Sequence, residues 1–213
     1  GKGLVCALLE GAELDAEKKK AEELKKISIS GRENGDLIML GIGGFSPLNG
    51  FMGKASWTRV CEEFLLENGT FWPIPVTLSA DQVDADAINL GDEIALVNPD
   101  GETMATMKVE EKFEMSESDK KWECEKCYRG QGEESEGDNF WKIAMGDHPG
   151  VQMVMGQKAI NLAGPVKVLS EGDFPERFPG VYMSPAQSRA IFKEKGWTTI
   201  AALQLRNPMH RSH

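Results

Sequence analysis

The chain has 213 residues, with 24 Lys and Arg against 34 Asp and Glu, and a formal net charge of -10. This length suits one sizeable domain, or one domain and part of another. The negative charge excludes a broad attraction to nucleic acid or anionic membranes, so we expect neither as a partner. No apolar run approaches the roughly 20 residues that span a bilayer. We expect a cytoplasmic protein.

The first 70 residues predict two helices with a loop between them. Residues 15–26 are highly charged and predict a short exposed helix with Asp15 near its N-cap. Residues 36–52 are apolar but are interrupted by four glycines, which favours a tightly turned buried loop over a helix. Residues 55–68 have apolar side chains at helical spacing before Gly69, and Cys61 lies on that face. We therefore expect Cys61 to be a core residue.

A strand pattern begins at residue 73 and continues to residue 113. The runs "PIPVTLSA" and "DEIALVNPDGETMATMKVEEKF" predict strands, and "NPDG" predicts the turn of a hairpin. Two later runs, "VQMVMG" and "GPVKVL", also predict strands, and residues 120–128 predict a helix. Many short strands with few helices indicate a compact β-barrel or mixed α+β domain over roughly the first 170 residues.

The pattern changes again after residue 170. Residues 171–184 contain prolines at 175 and 179 and predict a linker. Ser184 is the predicted cap of a helix that has Pro185 first and ends before Gly196. The run "TTIAALQL" then predicts a strand that is buried on both faces, as in a parallel sheet. We therefore predict domains at 1–170 and 185–213, the second with the opening of an α/β fold.

The segment "QLRNPMHRSH", residues 204–213, concentrates anion-binding side chains. Ligands of open α/β sheets lie where a strand ends and the next helix begins. Pro208 suits the first turn of a helix, which would place His210 and His213 on one face at the positive end of the dipole. Together with Arg206 and Asn207, they predict a phosphate site. Half of a metal site and an exposed tail are the alternatives.

This segment resembles the Gln-x-Arg-Asn-Pro-x-His-x-x-His signature of ATP sulfurylase, the sulfate adenylyltransferase that joins sulfate to AMP. The stretches "GGFSPLNGFM" (43–52) and "HPGV" (148–151) resemble two earlier parts of the same family, in the same order. The resemblance implies an α+β fold with a PUA-like β-barrel domain first. The first helix and strand of a Rossmann-like α/β nucleotidyl-transferase domain would follow it.

The resemblance also implies roles for the residues of the segment. Gln204 and Arg206 would bind sulfate, and His210 and His213 would hold the ATP phosphates and stabilise the transition state. Sulfate is already a dianion, so in-line attack on the α-phosphate needs positioning and charge neutralisation rather than a general base. Mg²⁺ would accompany ATP, with no protein-bound cofactor. The implied catalytic residues are Leu205, Arg206, Asn207, His210 and His213, and these together with Gln204 would bind ATP.

The implied reactants are ATP, sulfate, adenylyl sulfate and pyrophosphate, and the direction of the reaction stays open. In the family the catalytic domain continues to a Gly-Arg-Asp-type loop, for which this chain has no match. We therefore expect a part of a longer enzyme that lacks activity alone and forms a homo-oligomer when full length. The alternative is a non-catalytic PUA-like binding or oligomerisation module, although the net charge argues against RNA as its ligand.

Four cysteines are too few for a disulfide framework in a chain of this size. Cys124 and Cys127 form a lone CxxC pair, which supplies half of a tetrahedral zinc site and needs His148 and an acidic residue to complete it. On the predicted helix the pair shares a face with Tyr128, which favours simple packing. They are therefore weak metal candidates, and we expect His148 to pack or to form local hydrogen bonds.

Overall fold

The computed structural model of the chain describes residues 3–129, 148–205 and 211. Within this part of the chain, no helix is both long and apolar enough to cross a membrane. In chain order, the elements are α1 (Gly11–Glu23), β1 (Lys25–Ser28), α2 (Gly31–Gly41), β2 (Gly50–Phe51), α3 (Lys54–Glu63), β3 (Leu78–Ala80), α4 (Gln82–Asp86), β4 (Glu93–Val97), β5 (Thr103–Lys108), β6 (Glu111–Glu114), α5 (Glu117–Tyr128), α6 (Pro149–Met155), β7 (Ile160–Val168), α7 (Phe174–Arg177) and α8 (Pro185–Glu194).

Strand β7 is the centre of a curled mixed sheet. Its first half pairs with β6 on one side and β3 on the other, and its second half pairs with β5 and β2, all antiparallel. Strand β4 pairs with β5 antiparallel and with β1 parallel. At Gly164, where the neighbours of β7 change, φ is +151°, and a Cβ would collide with the carbonyl oxygen of Lys108. A glycine at this bend therefore lets the sheet curl into a half-barrel.

The main hydrophobic core fills the concave side of this sheet and extends beneath α2. Leu37 and Leu40 of α2 are fully buried against the strands. Each large apolar side chain buried in this way contributes about 1.5–3 kcal/mol. The other large apolar side chains that are fully buried in this core are Ile27, Leu78, Ile88, Ile94, Leu96, Met104, Met107 and Leu162.

Helix α2 includes residues that the sequence predicted as a loop, so that prediction was wrong for residues 36–41. The helix begins with a capping box, in which Ser30 N donates to the Glu33 carboxylate at 2.7 Å and Glu33 N donates to Ser30 Oγ at 3.3 Å. Two satisfied N–H groups and the buried apolar face stabilise the helix despite its glycines. The predicted turns follow at residues 42–47.

Helices α1 and α3 are both present, but their predicted ends were wrong. Helix α1 begins four residues early, at Gly11, and Lys25 already belongs to β1. Helix α3 ends where Phe64 adopts a left-handed conformation with φ of 56°, so Gly69 does not terminate it. The apolar face of α3 is buried as predicted, and Cys61 is confirmed as a core residue.

The hairpin at "NPDG" is confirmed. Asn98 N donates to the carbonyl of Glu102 at 2.9 Å, and Gly101 N donates to the carbonyl of Asn98 at 3.0 Å. The run "GPVKVL" lies mostly in β7, and the predicted helix at 120–128 is α5, which starts earlier, after Ser116. Of "PIPVTLSA", only Leu78–Ala80 forms a strand.

The prediction of a strand at "VQMVMG" was wrong, because this run belongs to α6. His148 caps that helix, since its Nδ1 accepts the N–H groups of Gly150 at 3.1 Å and Val151 at 3.4 Å. Pro149 occupies the first turn, where its missing N–H has no cost. Val151 and Val154 are buried three residues apart, as expected for a helix face.

Near the end of the described residues, the predicted helix is present, but the predicted strand is not. Ser184 Oγ accepts from Gln187 N at 3.3 Å, Pro185 is the first residue of α8, and Gly196 has a φ of +66° just beyond the helix. Residues 198–205 form no strand, and Leu203 is 68 % exposed. No described strand lies beside them to pair with their backbone, which a strand buried on both faces requires. The first strand of the expected α/β fold is therefore absent here.

Candidate functional site

The predicted site lies at the end of the described chain, and the structure describes two of its residues. Gln204 and Leu205 are exposed on the extended segment that follows α8. The predictions for Arg206, Asn207, His210 and His213 fall outside the described residues.

Local contacts fix the turn that leads from α8 into this segment. After α8, Trp197 N donates to the carbonyl of Phe192 at 2.9 Å, and the two rings stack with their centroids 6.1 Å apart. This turn, with left-handed Gly196 inside it, ends the helix and directs the chain into the extended run. The positions of Gln204 and Leu205 depend on this turn, because no sheet holds the residues between.

A hydrogen bond connects the segment before α8 to Glu171, which lies just after β7. Tyr182 Oη donates to Glu171 Oε2 at 2.7 Å. Burial, and then the neighbouring Glu171 carboxylate, raise the pKa of Tyr182 to about 12, so the hydroxyl stays protonated and donates at neutral pH. Tyr182 also lines a cavity of about 380 Å³ between Cys6 near the N-terminus and Gln187 of α8.

The "GGFSPLNGFM" stretch has a structural role, as expected from its residue types. Ser46 Oγ accepts from Val5 N at 2.8 Å and donates to the carbonyl of Gly43 at 2.7 Å, which fixes the N-terminal segment on the turn. At Gly50 a Cβ would collide with the backbone of β7, so only glycine allows β2 to pair there. Phe51 is buried in the main core.

The "HPGV" stretch also has a structural role in the described residues. His148 forms the cap of α6, in accordance with the predicted local hydrogen bonding, and its ring lies 5.0 Å from that of Tyr128 between centroids. A Cβ at Gly150 would lie 2.6 Å from the Tyr128 ring. The motif therefore brings α6 into close contact with α5.

The two cysteines of the CxxC pair pack into different clusters. Cys124 is buried against Val151 and Val154 of α6, whereas Cys127 packs in the cluster of Trp57 and Cys61. Burial, and then the nearby Glu123 carboxylate, raise the pKa of Cys124 to about 12, so it is a thiol rather than the thiolate that zinc requires. Among the described residues, no three His, Cys, Asp or Glu side chains form a metal-binding group.

A cavity of about 570 Å³ on the outer side of α2 was not predicted from the sequence. It is bounded by α2, α5, α6 and residues 71–76. Asp36 and Glu123 line it, and burial raises the pKa of both carboxyls, that of Asp36 to about 6. The one local signal was an acidic residue, Asp36, at the start of the apolar run "DLIML".

Comparison with known proteins identifies the class to which this fold belongs. A family model described as a PUA-like domain matches residues 1–171, and the chain belongs to this family. A second model, described as ATP-sulfurylase, matches residues 179–213. The two matches occur in the order that the three motifs indicated, and the resemblance to ATP sulfurylase is confirmed.

Curated relatives extend the similarity over the whole chain. The sulfate adenylyltransferase of Desulfatibacillum aliphaticivorans is 68 % identical over 214 residues, and that of Desulfovibrio desulfuricans is 64 % identical over 213. Both alignments cover 100 % of this chain and 50 % of the relative. The chain thus spans about half the length of these curated relatives. Among solved structures, the hexameric APS kinase from Thiobacillus denitrificans matches with a TM-score of 0.69 and 26 % identity, over 99 % of this chain and 34 % of that one.

Proposed function

We propose that this chain contributes to a sulfate adenylyltransferase, a nucleotidyltransferase that forms adenylyl sulfate and pyrophosphate from ATP and sulfate, or catalyses the reverse. The observation that carries the proposal is the "QLRNPMHRSH" segment, which lies within the match to the ATP-sulfurylase model. The 68 % identity to a sulfate adenylyltransferase over the whole chain supports it.

The proposed step needs no covalent intermediate on the protein. A sulfate oxygen attacks the α-phosphorus of ATP in line, a new O–P bond forms, and the bond to pyrophosphate breaks. Gln204 and Arg206 hold sulfate. Leu205, through its backbone, binds ATP with Arg206 and Asn207, and His210 and His213 neutralise the phosphates. Because both reactants are anions, fixed donors and cations that offset their repulsion are the main source of rate enhancement.

Mg²⁺ is proposed to enter with ATP, bound to its phosphate oxygens. Such an ion usually keeps several waters and takes few protein ligands. It would neutralise part of the charge on the leaving pyrophosphate. No protein-bound cofactor forms part of the proposal.

We also propose the division of the chain into 1–170, 171–184 and 185–213, with the last part belonging to a Rossmann-like α/β domain. The exposed apolar side chains of Ile200 and Leu203 support this, because a central strand would bury them. The strand is expected to form when neighbouring strands are available, and the relatives are about twice as long as this chain.

The proposed partners are ATP, sulfate, adenylyl sulfate and pyrophosphate. A homo-oligomer of the full-length protein is proposed by analogy with the APS kinase structure, which is described as hexameric. We further propose a cytoplasmic location, where ATP is available, and no nucleic-acid partner, because the net charge is -10.

A non-catalytic PUA-like module is the second candidate. It is favoured by one observation, namely that the PUA-like match covers residues 1–171 and that this part has its own hydrophobic core. Such a module would bind a ligand or another subunit without any sulfate-dependent turnover. The two candidates therefore differ in a measurable reaction.

The test is sulfate-dependent release of pyrophosphate from ATP. We expect no turnover from these 213 residues alone, and turnover when they are fused to the remaining half of the Desulfatibacillum aliphaticivorans relative. In the fusion, His210→Ala is expected to reduce kcat at least a hundredfold, because a charge-stabilising donor is lost. His148→Asn is the matched control, since Asn also caps helices. Turnover by the chain alone would contradict only the expected inactivity of these 213 residues, whereas an inactive fusion, or full activity of His210→Ala, would contradict the proposed function.

A further inference from the structure

The cavity outside α2 combines aromatic walls with one buried acid, Glu123, and one partly buried acid, Asp36. Phe45 and Trp72 meet edge to face with their centroids 5.6 Å apart, and both line it. At its rim lie Phe71, Ile74 and Met153, which are exposed large apolar side chains of the kind that proteins rarely place together. A volume of about 570 Å³ is within the range of small-molecule sites.

The charges inside this cavity are unequal. Asp36 and Glu123 both line it, and Glu123 is 2 % exposed. Among the described lining residues, Arg32 is the only cation. Its guanidinium lies 3.3 Å from Asp36 Oδ2, but it also donates to the carbonyl of Thr77 at 3.0 Å. Glu123 Oε2 accepts from Trp57 Nε1 at 2.6 Å, which is a neutral donor. One shared cation therefore faces two poorly solvated carboxyl groups.

A separate observation concerns Gln157, which lines the same cavity from the end of α6. Its Oε1 is fully buried and has no hydrogen-bond partner among the described residues. A buried acceptor without a donor costs about 1–3 kcal/mol. Because this oxygen is itself buried, a ligand with N–H groups would remove the cost only if the Gln157 side chain turned toward the cavity.

We propose that this cavity binds a small organic cation, an ammonium or amidinium attached to an apolar or aromatic body. The cationic group lies near Asp36 and Glu123, and it can donate to Gln157 Oε1 only after that side chain turns toward the cavity. The apolar body packs against Phe45, Trp72 and the rim. A positive charge over aromatic faces is favourable, more so where water is excluded. A neutral ligand would leave the charge imbalance in place, and an anion would increase it.

The experiment measures binding of phenethylammonium to the chain at pH 7.5 by isothermal titration calorimetry. Its neutral isostere, 2-phenylethanol, has the same shape without the charge. We expect one saturable site for phenethylammonium and at least tenfold weaker binding of 2-phenylethanol. Shifts of the Gln157 side-chain amide resonances on titration would locate the site. Equal affinities, or no saturable binding, would overturn the proposal.

The variants test the location. Asp36→Asn removes one charge while an amide oxygen can still accept from Arg32, and we expect it to weaken binding at least tenfold. Glu123→Gln keeps an acceptor for Trp57 and is also expected to weaken binding. Asp100→Asn, at the exposed hairpin turn, makes the same change in net charge at a residue that does not line the cavity. If Asp36→Asn and Asp100→Asn weaken binding equally, the site is elsewhere and the proposal is wrong.

Discussion

The chain contains two regions that are stabilised in different ways. Residues 3–129 and 148–171 form a curled sheet around a large core, and buried side chains from the helices of this region join that core. In residues 172–205, helices α7 and α8 have no buried residue. Large apolar side chains that are exposed there include Phe174, Phe178, Val181, Met183, Trp197, Ile200, Leu203 and Leu205. Caps and turns alone can therefore define helices locally, but burial of those apolar side chains requires neighbouring elements.

The largest expected effect comes from removing one buried leucine in the first region. Leu37→Ala should lower the free energy of unfolding by about 3 kcal/mol, through lost burial and the cavity left behind. Leu203→Ala should change it by less than about 0.5 kcal/mol, because Leu203 is already exposed. Urea unfolding followed by circular dichroism measures both. Equal losses for the two variants would mean that residues 198–205 are packed in solution.

The next largest effect concerns the ionisation of Asp36, which lies in the first region. The folded protein holds the Asp36 proton more tightly than the unfolded chain, because burial raises its pKa from 3.8 to about 6. The contribution of Asp36 to the free energy of unfolding therefore falls as the pH rises from about 4 to 6 and stays lower above that range. The penalty at pH 8 is at most about 3 kcal/mol, at 1.36 kcal/mol per pKa unit.

Asp36→Asn cannot ionise, so its stability relative to the unmodified chain should rise between pH 4 and pH 8, by about 2 kcal/mol. Glu194→Gln removes a carboxylate from the exposed surface of α8 and serves as the control. The measurement is urea unfolding at a series of pH values. A relative stability of Asp36→Asn that does not change with pH, or that changes as little as that of Glu194→Gln, would contradict a desolvated Asp36.

These regions also show which features a local pattern can predict. The "NPDG" hairpin and α8 were predicted because a turn or a cap is formed by neighbouring residues. The "VQMVMG" run fits both a strand and a helix by its apolar residues, and the cap by His148 decides for the helix. Residues 198–205 were predicted as a buried strand, but burial depends on elements outside the local pattern.

The proposed nucleotide site and the cavity beside Asp36 also differ in whether a local sequence pattern contains them. The nucleotide site was predicted from ten contiguous residues, 204–213, whose chemistry is concentrated in one segment. The roles of His210 and His213 stay predictions. The cavity beside Asp36 combines side chains from α2, α5 and α6, which are far apart in sequence, so no local pattern contains it. Only the packing of those helices brings Asp36 and Glu123 to one cavity.

The smallest expected effect comes from removing the cap serine of two similar capping boxes, one in each region. Ser30 caps α2 and Ser184 caps α8, each with a side chain at the third helical position that bonds back. Ser30→Ala should lower the free energy of global unfolding by about 1 kcal/mol, because α2 packs on the core. Ser184→Ala should leave the global urea midpoint unchanged.

Instead, Ser184→Ala should speed hydrogen exchange of the α8 amides about fivefold, which corresponds to about 1 kcal/mol of local helix stability. Hydrogen exchange resolved by mass spectrometry or NMR measures this, and the amides of α2 serve as the internal reference. A fall in the global midpoint with Ser184→Ala as large as that with Ser30→Ala would show that α8 unfolds together with the barrel. The exposed surface of α8 would then be covered in solution, because a helix without buried contacts cannot share the cooperativity of the core.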